Sequence, residues 1–153
     1  MRKVFWDDPY QKMLKTKVST IEGNRVLFEE TIAFPFSGGQ ESDKAFVNGL
    51  PIQDSEKVGK LIYYTLPPDH GLKPGDEVVM EIDWPRRYKL MRLHFAAELV
   101  LELVTKHLKA QKIGAHISEN KARIDFIYAQ NISHLFEQVL AEYQETIQQD
   151  LTI

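Results

Sequence analysis

The stretch DWPRRYKLMRLHFAAE, residues 83–98, separates two kinds of sequence. Downstream of it, from about residue 87 to 111, Leu90, Leu93, Ala97, Leu101, Val104 and Leu108 recur at three- and four-residue spacing. That is the period of one helix face, so a single long helix is expected there. Upstream of Pro85 no such period holds. Residues 16–21 alternate, Glu22-Gly23-Asn24 reads as a turn, and residues 25–28 resume an apolar run, which together predict a hairpin. Residues 31–36 are apolar but interrupted by Pro35, so they read as an edge strand or a strand end. Ser37-Gly38-Gly39-Gln40 follows as a loop. Short strands are expected near residues 60–66 and 77–82, on either side of the turn-rich run 67–76. Many short strands without a helical period imply a small antiparallel barrel or sandwich over residues 1–85.

Beyond the long helix, residues 112–117 and 122–128 read as two strands joined by Ser118-Glu119-Asn120-Lys121. Ile132, Leu135, Phe136, Val139, Leu140, Tyr143 and Ile147 then fall at helical spacing behind Asn131 or Ser133 as N-cap. Residues 86–153 are therefore expected to form a helix–strand–strand–helix region, and the fold class is α+β. No internal repeat or low-complexity segment interrupts this order.

With 153 residues, 43% hydrophobic and 27% charged, the chain has the composition of a folded domain rather than a disordered one. Its 19 basic and 22 acidic residues leave a net charge of −3, which argues against coating nucleic acid through bulk charge. There is no cysteine, so neither a disulfide nor a thiolate ligand is available, and a metal site must use His, Asp or Glu. Asp7 and Asp8 occupy the place where a signal peptide needs an apolar run, and no segment has transmembrane length. A cytoplasmic location is the expectation, with no membrane partner and an open oligomeric state.

His94 and Glu98 lie four residues apart and so share one helix face, about 6 Å apart at Cβ, where both can reach one cation. An ordinary half-solvated helix pair has the same spacing. The apolar neighbours Leu93, Phe95, Ala96, Ala97, Leu99 and Val100 favour a protected cleft instead. Arg86, Arg87, Lys89 and Arg92 form a basic cluster beside the pair, either a solvated face or a surface for a phosphate backbone. Gly38 and Gly39 permit positive φ and close approach of backbone N–H groups to a ligand, although a plain glycine turn has the same signature. His70 reads as a loop residue, His107 and His134 as helix-surface residues, and His116 as a strand residue.

These segments in their order resemble the editing domain of alanyl-tRNA synthetase and its free-standing relatives. Residues 5–10, FWDDPY, are similar to that family's opening. Residues 31–43, TIAFPFSGGQESD, resemble its T-x-F-Y-P-E-G-G-G-Q-P-S-D stretch, and residues 83–94 its D-x-x-R-R-x-x-L-M-R-x-H segment. Arg123-Ile124-Asp125-Phe126 matches its R-x-D-F strand. The resemblance implies a barrel-like domain followed by the additional domain shared by threonyl- and alanyl-tRNA synthetases. It also implies a trans-acting hydrolase that removes serine or glycine from mischarged alanine tRNA. On that basis His94, Glu98 and Gln40 are the catalytic candidates, and Thr31, Gly38 and Gly39 the substrate-binding ones. Arg86, Arg87 and Lys89 would meet the tRNA, and zinc held by His94 and Glu98 would activate water.

The chain departs from the family where the metal chemistry resides. The family's H-x-x-x-H becomes His94-Phe95-Ala96-Ala97-Glu98, and its later C-x-x-x-H segment has no counterpart before Ile153. Glu41 and Lys44 replace the usual proline and threonine. Glutamate does ligate zinc, but two ligands need a third from His116, another chain or the substrate. The sequence is thus expected to be a fragment, a short paralogue with a rebuilt site, or a relative that keeps the fold without hydrolysis. The alternative to an enzyme is an editing-like module that binds tRNA or an amino-acid-like ligand without cleaving it.

Overall fold

A computed structural model of the chain describes residues 1–108 and 110–150. The chain divides into two compact units, 1–89 and 90–153. The first opens with β1 (Arg2–Lys3) and a single helical turn, α1 (Val4–Asp7). The strands β2 (Met13–Glu22), β3 (Arg25–Phe28), β4 (Glu30–Thr31), β5 (Ala45–Val47) and β6 (Leu50–Pro51) follow. The last strands of the unit are β7 (Asp54–Val58), β8 (Leu61–Thr65) and β9 (Glu77–Ile82). Seven of them form one curled antiparallel sheet in the order β6-β5-β9-β2-β3-β8-β7, while β1 pairs in parallel with β4.

The long strand β2 curls the sheet because it serves two neighbours in turn. Residues 13–17 pair with β9 and residues 18–22 with β3, with a register shift between Val18 and Thr20. Along β9 the buried Val78, Met80 and Ile82 alternate with Glu77, Val79 and Glu81, the period-two signature of a one-sided core. One apolar cluster then runs from Val4 and Phe5 through Val26, Phe28 and Tyr64 to Met80 and Ile82.

The expected hairpin and both expected strands are present, but β5, β6 and β7 were not anticipated. Each has five residues or fewer, too short to carry a convincing alternation. Asn48 and Gly49, at φ 49° and 83°, form the two-residue loop between β5 and β6, and that Asn-Gly pair was a legible hairpin signal. Residues 32–36 are not a strand. Only Glu30–Thr31 pair, and the buried chain beyond them is irregular.

The long helix α2 (Trp84–His107) begins three residues earlier than expected. Asp83 caps it by accepting the Arg86 N–H at 3.1 Å, and Pro85 is tolerated in the first turn because its missing N–H has no helical partner there. The helix ends before residue 111 because Gln111 is drawn into β10 (Gln111–Ile117), where it pairs with Ile127 of β11 (Ala122–Ile127). Pairing across the hairpin overrides the local helical period. A 3-10 turn over Ile132–Leu135, with Asn131 accepting the Ser133 N–H at 2.9 Å, leads into α3 (Phe136–Gln148).

The second unit buries two smaller apolar clusters. Leu103, Val104, Leu108 and Val139 form one; Leu90, Ala97 and Ile117 form the other. Of the anticipated helix stripe, Leu90, Ala97, Val104 and Leu108 are buried, whereas Leu93 and Leu101 are half-buried. An apolar cavity of about 370 Å³ opens among residues including Ala97, Val104, Ile124, Phe126, Leu135 and Val139.

Candidate functional site

In the first unit the functional candidates gather around the irregular segment that follows β4. A buried segment outside a sheet must satisfy its backbone groups some other way, and here side chains do so. The Thr31 hydroxyl accepts the Ala33 N–H at 3.1 Å, and the Tyr64 hydroxyl donates to the Ala33 carbonyl at 2.6 Å. Burial holds the Tyr64 phenol above its usual range, so it stays protonated and its one hydrogen goes to Ala33. Thr31 must then donate to Tyr64, at 2.7 Å, which closes a ring of hydrogen bonds with every direction determined. The Met80 sulfur lies 3.3 Å from the same Thr31 oxygen. Thr31 is wholly buried, and its hydroxyl is engaged within the protein.

Arg87 and Asp43 complete the support. The Asp43 carboxylate accepts the Phe34 N–H at 2.7 Å and the Arg87 Nε–H at 2.8 Å, and it forms a second, closer contact with Arg87 Nη2. Arg87 also donates to the carbonyls of Ile32 at 2.6 Å and Pro9 at 3.0 Å. The two side chains are only 4% and 1% exposed. Arg87, considered from sequence as a tRNA contact, is therefore placed inside the first unit with its guanidinium committed to the fold. Arg86 donates to Glu41 at 2.8 Å and to the Ser42 carbonyl, with its side chain 12% exposed, whereas Lys89 is exposed.

The glycine loop is a tight turn. Gly38 and Gly39 take φ 61° and 84°, while Ser37 and Gln40 exchange backbone hydrogen bonds of 3.2 and 3.0 Å across it. Positive φ at both central positions defines the hairpin-type turn and accounts for two glycines in succession. A Cβ on Gly38 would meet no atom within 4 Å, so conformation rather than space demands glycine there. The turn leaves Gln40 buried.

In the second unit His94 and Glu98 do share a face of α2, with Nε2 and Oε1 3.7 Å apart. Their side chains are 43% and 50% exposed, so the apolar neighbours do not close over them. At that distance the two groups are in loose contact rather than directly hydrogen-bonded. Zinc takes three or four protein ligands, and among the described residues no group of three or more His, Asp or Glu is placed to hold an ion. The residues present supply two donors and do not fit a complete zinc site, so no catalytic step is routed through a metal. His107 is not a bare surface residue: its ring meets Glu142 at 2.7 Å.

Sequence reasoning missed Asp43 and Tyr64 as supports of the site. Asp43 was quoted only as a motif residue, and a carboxylate nine residues beyond Phe34 gives no local hint that it will bond that amide. Tyr64 reads from sequence as one more apolar strand residue. No helix among the described residues is long and apolar enough to cross a membrane.

No family model matches the chain. Among curated proteins, it is 32% identical over 151 residues to the alanyl-tRNA editing protein AlaX-M of Pyrococcus horikoshii, covering 95% of this chain and 69% of that protein. To AlaX-M of Saccharolobus solfataricus it is 32% identical over 157 residues, covering 99% of this chain and 66% of the relative. To the alanine–tRNA ligase of Staphylothermus marinus it is 35% identical over 138 residues, which is 86% of this chain but 15% of that enzyme. The likeness therefore spans both units, and in the ligase it is confined to a small part of the protein. The motifs of the buried segment, the glycine turn and the start of α2 fall inside one continuous similarity, and on that ground the chain belongs to the alanyl-tRNA editing protein family.

Proposed function

We propose that this chain acts in alanyl-tRNA editing, as a trans-acting hydrolase that removes serine or glycine from mischarged alanine tRNA. The observation that carries the proposal is the 32% identity to an alanyl-tRNA editing protein across 95% of the chain. In the reaction, water adds to the ester carbonyl, the bond from the carbonyl carbon to the ribose oxygen breaks, and the water proton leaves with that oxygen. In the first unit, Gly38, Gly39 and Gln40 are assigned to the amino acid, with Thr31, whose hydroxyl is committed to Tyr64, supporting the buried segment that precedes them. Buried groups that hydrogen-bond a substrate hydroxyl discriminate far more strongly than apolar packing does. In the second, Glu98 is assigned to accept the water proton, with His94 orienting the carboxylate. Zinc, if it takes part, needs at least one donor beyond His94 and Glu98.

Release of serine or glycine from mischarged alanine tRNA is the expected result, lowered about 100-fold or more in Glu98→Ala and His94→Ala, the scale of a lost general base. Wild-type protein that releases neither amino acid, with or without added zinc, would defeat the proposal.

The two-donor set at His94 and Glu98 favours a second reading, in which the chain binds tRNA without cleaving it. That reading expects salt-dependent tRNA binding, weakened by Lys89→Ala, with no turnover. Arg87→Ala is unsuitable for this test, since Arg87 holds the fold.

A further inference from the structure

Residues 8–12 and the first turns of α2 build an aromatic ladder that the editing chemistry does not use. Trp84 and Tyr88 are one helical turn apart, with ring centroids 5.7 Å apart and planes inclined at 28°. Tyr10 adds a third ring, 5.5 Å from Trp84 on centroids. The Lys12 ammonium lies 4.9 Å from the Trp84 ring centre. Tyr10 and Tyr88 are 58% and 43% exposed, which is unusual for rings in a row.

The row is held in place from beneath. The buried Arg87 guanidinium bonds the Pro9 carbonyl at 3.0 Å, which fastens residue 9 to the helix that carries Trp84 and Tyr88. The Asp8 carboxylate accepts the Tyr10 N–H at 2.9 Å and turns the chain there. Lys12 is fixed by the bond from the Ile82 N–H to its carbonyl at 3.1 Å. Lys12 brings a cation onto the row, and the Asp8, Asp83 and Asp7 carboxylates are held by the Tyr10 N–H, the Arg86 N–H and, at 2.9 Å, Arg2.

We infer that Tyr10, Trp84 and Tyr88 form a stacking platform for the unpaired 3′ end of an RNA, with Lys12 beside its phosphates. Bases stack on exposed aromatic faces whatever their identity, and adjacent cations follow the backbone. The identification of that RNA as a tRNA rests on the proposed editing function; the platform itself does not.

The sequence has two tryptophans, so Trp6→Phe leaves Trp84 as the sole tryptophan in the full chain, to be excited selectively over tyrosine. Its fluorescence is expected to fall on adding a short single-stranded RNA ending in CCA, and to stay unchanged with a blunt duplex. Tyr10→Leu and Tyr88→Leu should each weaken binding by about 5- to 150-fold, whereas Tyr10→Phe and Tyr88→Phe should stay within about twofold. Leu variants that bind like the parent, or a duplex bound as tightly as the single strand, would overturn the platform. So would an emission change on diluting the protein alone, which would mark a second copy as the occupant. If Leu variants deacylate mischarged tRNA at the parental KM, the platform fails and editing stands. If the single strand binds as described but no amino acid is released, editing fails and the platform stands.

Discussion

Asp43 and Arg87 carry the irregular segment between β4 and the glycine turn. Both charges are removed from water, and together they satisfy the Phe34 N–H and the carbonyls of Ile32 and Pro9. Removing one partner leaves the other charge buried and unpaired, which costs about 3–5 kcal/mol. Asp43→Ala is therefore expected to lower the urea midpoint by that equivalent, and a loss under about 1 kcal/mol would refute the structural role. Arg87 was offered to tRNA on sequence because it belongs to a basic cluster in the segment that resembles the editing family. Its burial depends on a carboxylate 44 residues away, which no local pattern announces.

At the scale of elements, a polar tie between α2 and α3 adds to the apolar contact made by Leu103, Val104 and Val139. Glu142 accepts from Lys106 at 2.8 Å, meets the His107 ring at 2.7 Å and accepts from Gln138 at 3.2 Å. The Lys106 hydrogen bond is the main cause that holds this carboxylate below its ordinary 4.5, and the bonds from Gln138 and His107 add to it. A carboxylate with a depressed folded value stabilises the fold above its unfolded value and loses that contribution as pH falls through the folded one. Wild type and Glu142→Gln should therefore differ in helical melting at pH 7 and converge well below 4.5. An equal difference at neutral and strongly acidic pH would rule the tie out. The hydrophobic spacing located both helices. The tie itself pairs the last turn of α2 with the middle of α3, which only the folded hairpin arranges.

For the molecule as a whole, the two units differ in how much they bury. The first holds one continuous cluster from Val4 to Ile82, while the second divides its apolar side chains between two small clusters and leaves Phe136, Leu140 and Ile147 about half exposed or more. Opening free energy follows buried apolar contact. Backbone amides of β2 and β9 should therefore outlast those of α3 in native-state hydrogen exchange, and the reverse order would show that the second unit is the more stable. Sequence by itself determined the α+β class, the long helix after Pro85, the hairpin and the family. Each of these rests on periodicity or on motifs read in order along the chain. It also placed His94 and Glu98 on one helix face, since that follows from spacing alone. Only the tertiary structure decided that Thr31 closes a ring with Tyr64, that Arg87 lies inside, and that Tyr10 meets Trp84. Those contacts join residues 31 and 64, 43 and 87, and 10 and 84, and separations of that length leave no trace in a local pattern.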